Sequence, residues 1–149
     1  MLSERRAPAP TETVHVGSVM HKGVIGCKPS TPLDEVIRIM ADTNIQVLVV
    51  TGPDEEALGT INQMDLLQFF GQDRKGLKAR DVMSGKVIAV APEMTLQEAI
   101  RVMLERCISH LVVSERGDVG LRAQGVLTTG HIIKEMRGSK WMWYFSPEP

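Results

Sequence analysis

The 149-residue chain has only two cysteines, Cys27 and Cys107. Two are too few for a disulfide framework, which excludes the small secreted scaffolds that such bridges hold together. Neither sign of charge dominates: 17 Lys and Arg face 18 Asp and Glu, for a formal charge of −1. Without a basic excess there is no broad field for nucleic acid or an anionic membrane, and neither partner is expected. Long hydrophobic runs are missing as well. Val47–Val50 and Leu111–Val113 are strand-sized, far short of the roughly 20 residues of a membrane span. The opening MLSERRAPAP has charge and proline but lacks the apolar stretch of a secretory signal. Glycine-rich phosphate loops are absent, and no Ser-His-Asp or Cys-His order suggests a nucleophile. A cytoplasmic protein that is not an enzyme is expected.

What the chain does have is a repeat. With hydrophobic residues at 43% and charged residues at 23%, its composition is globular. Sliding the sequence by 63 positions lays Val16–Thr51 over Ala79–Ser114 without a gap, and 14 of the 36 pairs are identical. Composition alone gives about two or three. The identities include Val19/Val82, Met20/Met83, Pro29/Pro92, Leu33/Leu96, Met40/Met103 and Leu48-Val49-Val50/Leu111-Val112-Val113. Most are apolar and fall at helical or strand spacing, so it is buried faces that repeat. Gly59–Leu67 then matches Gly125–Ile133 at an offset of 66, which gives the second copy three extra loop residues.

Each copy reads as β-α-β-β-α. A helical turn (Gly17–Met20, Arg80–Met83) leads to a strand (Val24–Cys27, Val87–Val90). An amphipathic helix follows, with Leu33, Val36, Ile37, Met40 and Leu96, Ala99, Ile100, Met103 at i, i+3, i+4, i+7. Thr31 with Asp34, and Thr95 with Glu98, read as capping boxes at the helix starts. The runs Val47–Val50 and Leu111–Val113 read as strands buried on both faces. A second strand (Leu58–Ile61, Gln124–Leu127) and a closing helix (Gln63–Phe70, Thr129–Met136) complete the copy. The expected division is a flexible N-terminal tail (1–13), a first motif (14–71), a linker (72–78), a second motif (79–137) and an aromatic tail (138–149). One copy of about 60 residues is marginal alone, so two α/β motifs related by a pseudo-two-fold axis, sheets apposed and helices outside, are expected.

In the order and duplication of Val19-Met20/Val82-Met83, Pro29…Leu33/Pro92…Leu96, Ile45…Val50/Ile108…Val113 and the Gly-led segments Gly59–Asp65 and Gly125–His131, residues 14–137 resemble a tandem pair of cystathionine-β-synthase (CBS) domains. The resemblance implies a regulatory sensor in which clefts between the copies hold an adenosine compound: AMP, ADP, ATP, S-adenosylmethionine or NAD. No cofactor is required. It also implies a homodimer forming a four-motif disc, with output to its dimer mate or to a separate effector protein. The alternative is a constitutive assembly module with degenerate, empty clefts. In the family the closing segment runs Gly-apolar-apolar-Thr/Ser-x-x-Asp, the hydroxyl meeting phosphate and the Asp the ribose. Adenine lies against the first and buried strands, which here gives Val24, Ile25 and Val47, and in the second copy Val87 and His110.

The two copies depart from that pattern in complementary ways. The first keeps Asp65 but has Asn62 in place of the hydroxyl; the second keeps Thr128 but has His131 in place of the Asp. The Asp65 cleft is therefore the expected ligand site, although Asp65 and Asn62 also fit a helix cap that needs no ligand. Thr128 is an N-cap that can also meet phosphate. His131 either caps its helix or donates to a phosphate, turning a ribose site into an anion site. Arg116 and Arg122, opposite Asp54–Glu56, either close over phosphates or form a solvated loop. Neither His15, His21 and Cys27 nor Cys107-x-x-His110 has zinc-site spacing. Cys107 is expected as a small core residue. Trp141, Trp143, Tyr144 and Phe145 make the tail a candidate docking segment.

Overall fold

The computed structural model describes residues 13–138. The N-terminal tail to residue 12 and the aromatic segment Trp141–Phe145 lie outside the described residues. The first repeat contains α1 (Val16–Val19), β1 (His21–Lys22), β2 (Gly26–Cys27), α2 (Leu33–Thr43), β3 (Val47–Thr51), β4 (Ala57–Asn62) and α3 (Gln63–Leu67). The second contains α4 (Ala79–Val82), β5 (Ala89–Val90), α5 (Leu96–Arg106), β6 (His110–Ser114), β7 (Ala123–Thr128) and α6 (Thr129–Arg137). The fold is α/β, two matching units with apposed sheets and outer helices, as the repeat implies.

Period-two alternation on the central strands explains why they are apolar throughout. Leu48, Val50 and Ile61 face α2 in one core, and Leu111, Val113 and Leu127 face α5 and α6 in another. The intervening Val49 and Val112 meet Ala57 and Ala123 between the two sheets, in a third core completed by Val24, Val87, Ala89 and Val126. Each sheet runs parallel from the first strand to the central one (β2–β3, β5–β6) and antiparallel to the next (β3–β4, β6–β7).

The leading segments are exchanged. Val16, fully buried, belongs to the core of the second repeat; its backbone N–H donates to Met94 O (2.9 Å), and that of Gly17 to Pro92 O (2.9 Å). Strand β1 then pairs antiparallel with β7, His21 opposite Val126, so the second sheet has the order β1-β7-β6-β5. Reciprocally, Ala79 is buried in the core of the first repeat, and its N–H donates to Thr31 O (2.8 Å). Thr60 and Ser84 exchange two backbone hydrogen bonds, of 3.0 and 2.9 Å. The Gly-led closing segments allow this passage. A Cβ at Gly59 would lie 2.6 Å from the Met83 sulfur and 2.8 Å from Ser84 O, and one at Gly125 would run into His21 O.

Three local expectations are corrected. The first strands are shorter than expected, pairing within their own sheets only at Gly26–Cys27 and Ala89–Val90, and β1 is an additional strand because His21–Lys22 pair with the other repeat. The Thr95–Glu98 capping box forms, with Glu98 N–H donating to Thr95 Oγ1 (3.1 Å) and Thr95 N–H to Glu98 Oε1 (3.2 Å). Thr31 caps nothing: Pro32 is the N-cap of α2, and Thr31 Oγ1 accepts from Lys28 N in the preceding turn (3.1 Å). Cys107 is exposed, since it terminates α5 in a left-handed conformation (φ 54°) that swings its side chain off the apolar stripe; Asn44 does the same for α2 (φ 55°).

Reciprocal exchange leaves neither repeat with a complete core of its own. Gly59→Ala and Gly125→Ala are each expected to push off the segment passing over them and cost about 1–3 kcal/mol. In calorimetry each variant should lower one shared transition; two resolved transitions would refute the exchange as the stabilising link.

Candidate functional site

The exchange brings the closing segment of each repeat against the first strands of the other. A cavity of about 410 Å³ opens where β7 and α6 of the second repeat face His21 of β1, Ile25 just before β2, the α2–β3 turn and Val47 at the start of β3. Its apolar lining is Ile25, Ile45, Val47 and Val126; its polar lining is His21, Thr43, Asn44, Gln46, Thr128, His131 and Lys134. No residue lining it is acidic. Of the residues picked from sequence, Ile25, Val47, Thr128 and His131 therefore share one cleft although they come from different copies. Val24 and Val87 lie apart from them, between the sheets.

His131 takes over the capping role of an Asp. Thr128 N–H donates to His131 Nδ1 (3.1 Å), and His131 N–H donates to Thr128 Oγ1 (3.3 Å). A ring nitrogen that accepts is unprotonated, so the neutral ring carries its proton on Nε2, which has no acceptor among the described residues. Burial holds His131 below the usual imidazole range, and the neighbouring His21 ring and Lys134 ammonium push the same way. The His21 and His131 rings are nearly parallel, 16° between planes, with centroids 6.3 Å apart.

Asn62 and Asp65 form the equivalent box in the first repeat. Asp65 N–H donates to Asn62 Oδ1 (3.0 Å), and Asn62 N–H to Asp65 Oδ2 (2.9 Å). Neither residue lines the cavity just described. Where the first repeat has Val47 the second has His110, whose Nε2 lies 3.3 Å from Thr60 Oγ1. His110 Nδ1 is buried with no partner. Burial lowers the His110 pKa, against the pull of the Asp65 carboxylate. An imidazole thus occupies the Asp65 side of the structure at the position where the other cleft keeps a small aliphatic side chain.

Arg122 is committed elsewhere, its Nε bonded to Glu55 Oε1 (2.6 Å) in an exposed pair linking the hairpins of the two repeats. Among the described residues no group of three His, Cys, Asp or Glu side chains is placed to hold a metal ion. No helix among them is long and apolar enough to cross a membrane.

The CBS domain model matches residues 16–71 and 79–138. The chain belongs to the CBS-domain family. A protein of Methanopyrus kandleri is 29% identical over 126 residues, covering 82% of this chain; the alignment takes in only 62% of that longer protein. Among solved structures, the CBS pair of MJ0100 in complex with 5′-methylthioadenosine and S-adenosylmethionine superposes with a TM-score of 0.76 at 20% identity, over 87% of this chain and all of that one. CBSX2 of Arabidopsis thaliana in complex with AMP gives 0.72 at 20%, over 83% of this chain and 97% of that one. At these identities the likeness establishes the fold, a tandem CBS pair.

Sequence reading passed over His21 and Lys134. The available signal was divergence between copies: the matched positions hold Ser84 and Gln68. His21 is also hidden by the exchange, since it reaches the cleft by pairing with β7 of the other repeat.

Two titrations follow. The His131 imidazole is expected to titrate below 6.5 by NMR, and His21→Ala should raise that value by removing both a neighbouring ring and some burial. For His110 the linkage sign is set by a folded pKa below the unfolded 6.5. Its contribution is complete above that value and lost as pH falls, because the unfolded chain takes up the proton first. His110→Val, copying the first repeat, should flatten the loss of Tm as pH falls below about 6.5; an unchanged slope would assign the acid sensitivity elsewhere.

Proposed function

We propose that this CBS pair is a non-catalytic regulatory module that senses an adenosine compound and passes cleft occupancy to a partner protein or through its own dimer. The observation that carries the reading is the cavity between the repeats, which has an apolar wall for a base and convergent polar groups at one end. The complexes of MJ0100 with 5′-methylthioadenosine and S-adenosylmethionine, and of CBSX2 with AMP, support the ligand class. AMP, ADP, ATP, S-adenosylmethionine and NAD are the candidates. Because the cavity wall is contributed by both repeats, a ligand that bridges them favours one relative orientation, and that difference in affinity is the signal. Asp65 led the sequence argument, but the open cavity lies on the His131 side, and the ligand is assigned there.

Two chains are proposed to associate through their outer helices. Met64 and Leu67 on α3, Phe70 just beyond it, and Ile133 and Met136 on α6 are all exposed, Phe70 at 89%. Such side chains are better covered than left in water. A second reading, a constitutive assembly module, is favoured by the two capping boxes, which are complete with no ligand.

Thermal unfolding with AMP, ADP, ATP, S-adenosylmethionine and NADH decides between them. A ligand at about 100 times its Kd adds roughly 2.7 kcal/mol, a shift of several degrees. Val47→His, which gives the first repeat the side chain found at position 110, should abolish the shift, whereas Asp65→Ala should leave it. If no compound shifts the transition at millimolar concentration, the assembly reading replaces the sensor.

A further inference from the structure

We propose that the His131 cleft selects its ligand by a phosphate group and not by a sugar diol, so that it accepts organic phosphates carrying a flat apolar group whether or not a ribose is present. The proposal rests on the assignment of that cleft as the ligand site and specifies what it reads.

The argument is one of donors and acceptors. A ribose diol is recognised by a group that accepts from both hydroxyls, which a carboxylate does and a neutral Nε2–H imidazole does not. At His131 the accepting nitrogen is already used by Thr128 N–H, and only the donor faces outward. Two further side chains at that end are donors as well. Thr128 Oγ1 accepts from His131 N–H, which leaves its own proton to give. Lys134, one turn along α6 on the same wall, supplies an ammonium with no ion pair among the described residues. His21 arrives from the other repeat beside His131. Asn44 and Gln46, also in the lining, are neutral amides that donate as well as accept, and no lining residue is acidic, so the charge the cleft presents is the Lys134 ammonium. A phosphate monoester, with three terminal oxygens and a negative charge, takes charge-assisted bonds from several donors at once, whereas a neutral diol offers only uncharged acceptors and finds no carboxylate for its own two protons.

The test monitors the imidazole signals of the full chain by NMR at pH 7 while phenyl phosphate, AMP, 2′-deoxy-AMP and adenosine are titrated separately. Phenyl phosphate has the flat apolar group and the phosphate and no sugar. It is expected to shift the His131 and His21 signals. 2′-Deoxy-AMP should bind within about threefold of AMP, and adenosine at least about tenfold more weakly, the cost of losing charge-assisted hydrogen bonds. His131→Asp keeps the helix cap, since an Asp at this position serves the first repeat, and should weaken phenyl phosphate about tenfold while making AMP sensitive to loss of the 2′-hydroxyl. Lys134→Gln, which does not touch the cap, should also weaken phenyl phosphate.

Adenosine binding as tightly as AMP, with 2′-deoxy-AMP weaker, would overturn the phosphate assignment and leave the adenosine sensor standing. Phenyl phosphate binding without AMP would support the assignment and remove the adenosine reading. Unaltered phenyl phosphate affinity in His131→Asp, or no response to any of the four compounds, would overturn the assignment.

Discussion

The short backbone hydrogen bonds that pin each leading segment to the opposite repeat are what the rest of this structure depends on. Val16 and Gly17 bond to Met94 and Pro92, and Ala79 and Arg80 to Thr31 and Pro29, at 2.8 to 3.0 Å. They bury Val16 in one core and Ala79 in the other. A unit of about 60 residues has too little interior to be comfortably stable alone. Here its missing piece comes from its neighbour. The two glycines that open the closing segments then acquire a common reason, since each lies directly under the backbone or side chain crossing from the other copy.

The same exchange creates the clefts and lets them diverge. Because each cleft is assembled from both repeats, a change in one copy alters the chemistry of a site that the other copy helps to build. With Val47 opposite Thr128 and His131, a cavity stays open. His110 takes the matched position on the other side and bonds to Thr60 instead. Both helix starts keep the same reciprocal capping geometry, one with a carboxylate and one with an imidazole. A cap of this kind stabilises the helix without a ligand, and the group it leaves uncommitted is a carboxylate oxygen in one repeat and an imidazole Nε2 in the other.

Much of the fold was legible in the residues. The 14 identities in 36 aligned positions announced two copies, and the spacing of Leu33, Val36, Ile37 and Met40 gave the helix face that is buried. Continuous apolar runs correctly meant strands covered on both sides, as Val49 and Val112 between the sheets demonstrate. Thr31 and Cys107 were misread for local reasons. A threonine before a proline has a competing turn to serve, and a cysteine at the end of an apolar helix is in the core only if the helix continues through it.

Sequence by itself determined the main helices, the central strands, their pairing into repeats and the substitutions at Asn62 and His131, because propensity and periodicity are properties of neighbours along the chain. Which residues share a cleft was decided by tertiary structure alone. Ile25 and Val47 meet Thr128 and His131, and His21 joins them, only because the leading segments cross between copies. That crossing leaves no periodic trace: its hydrogen bonds are made by backbone groups, which every residue carries alike.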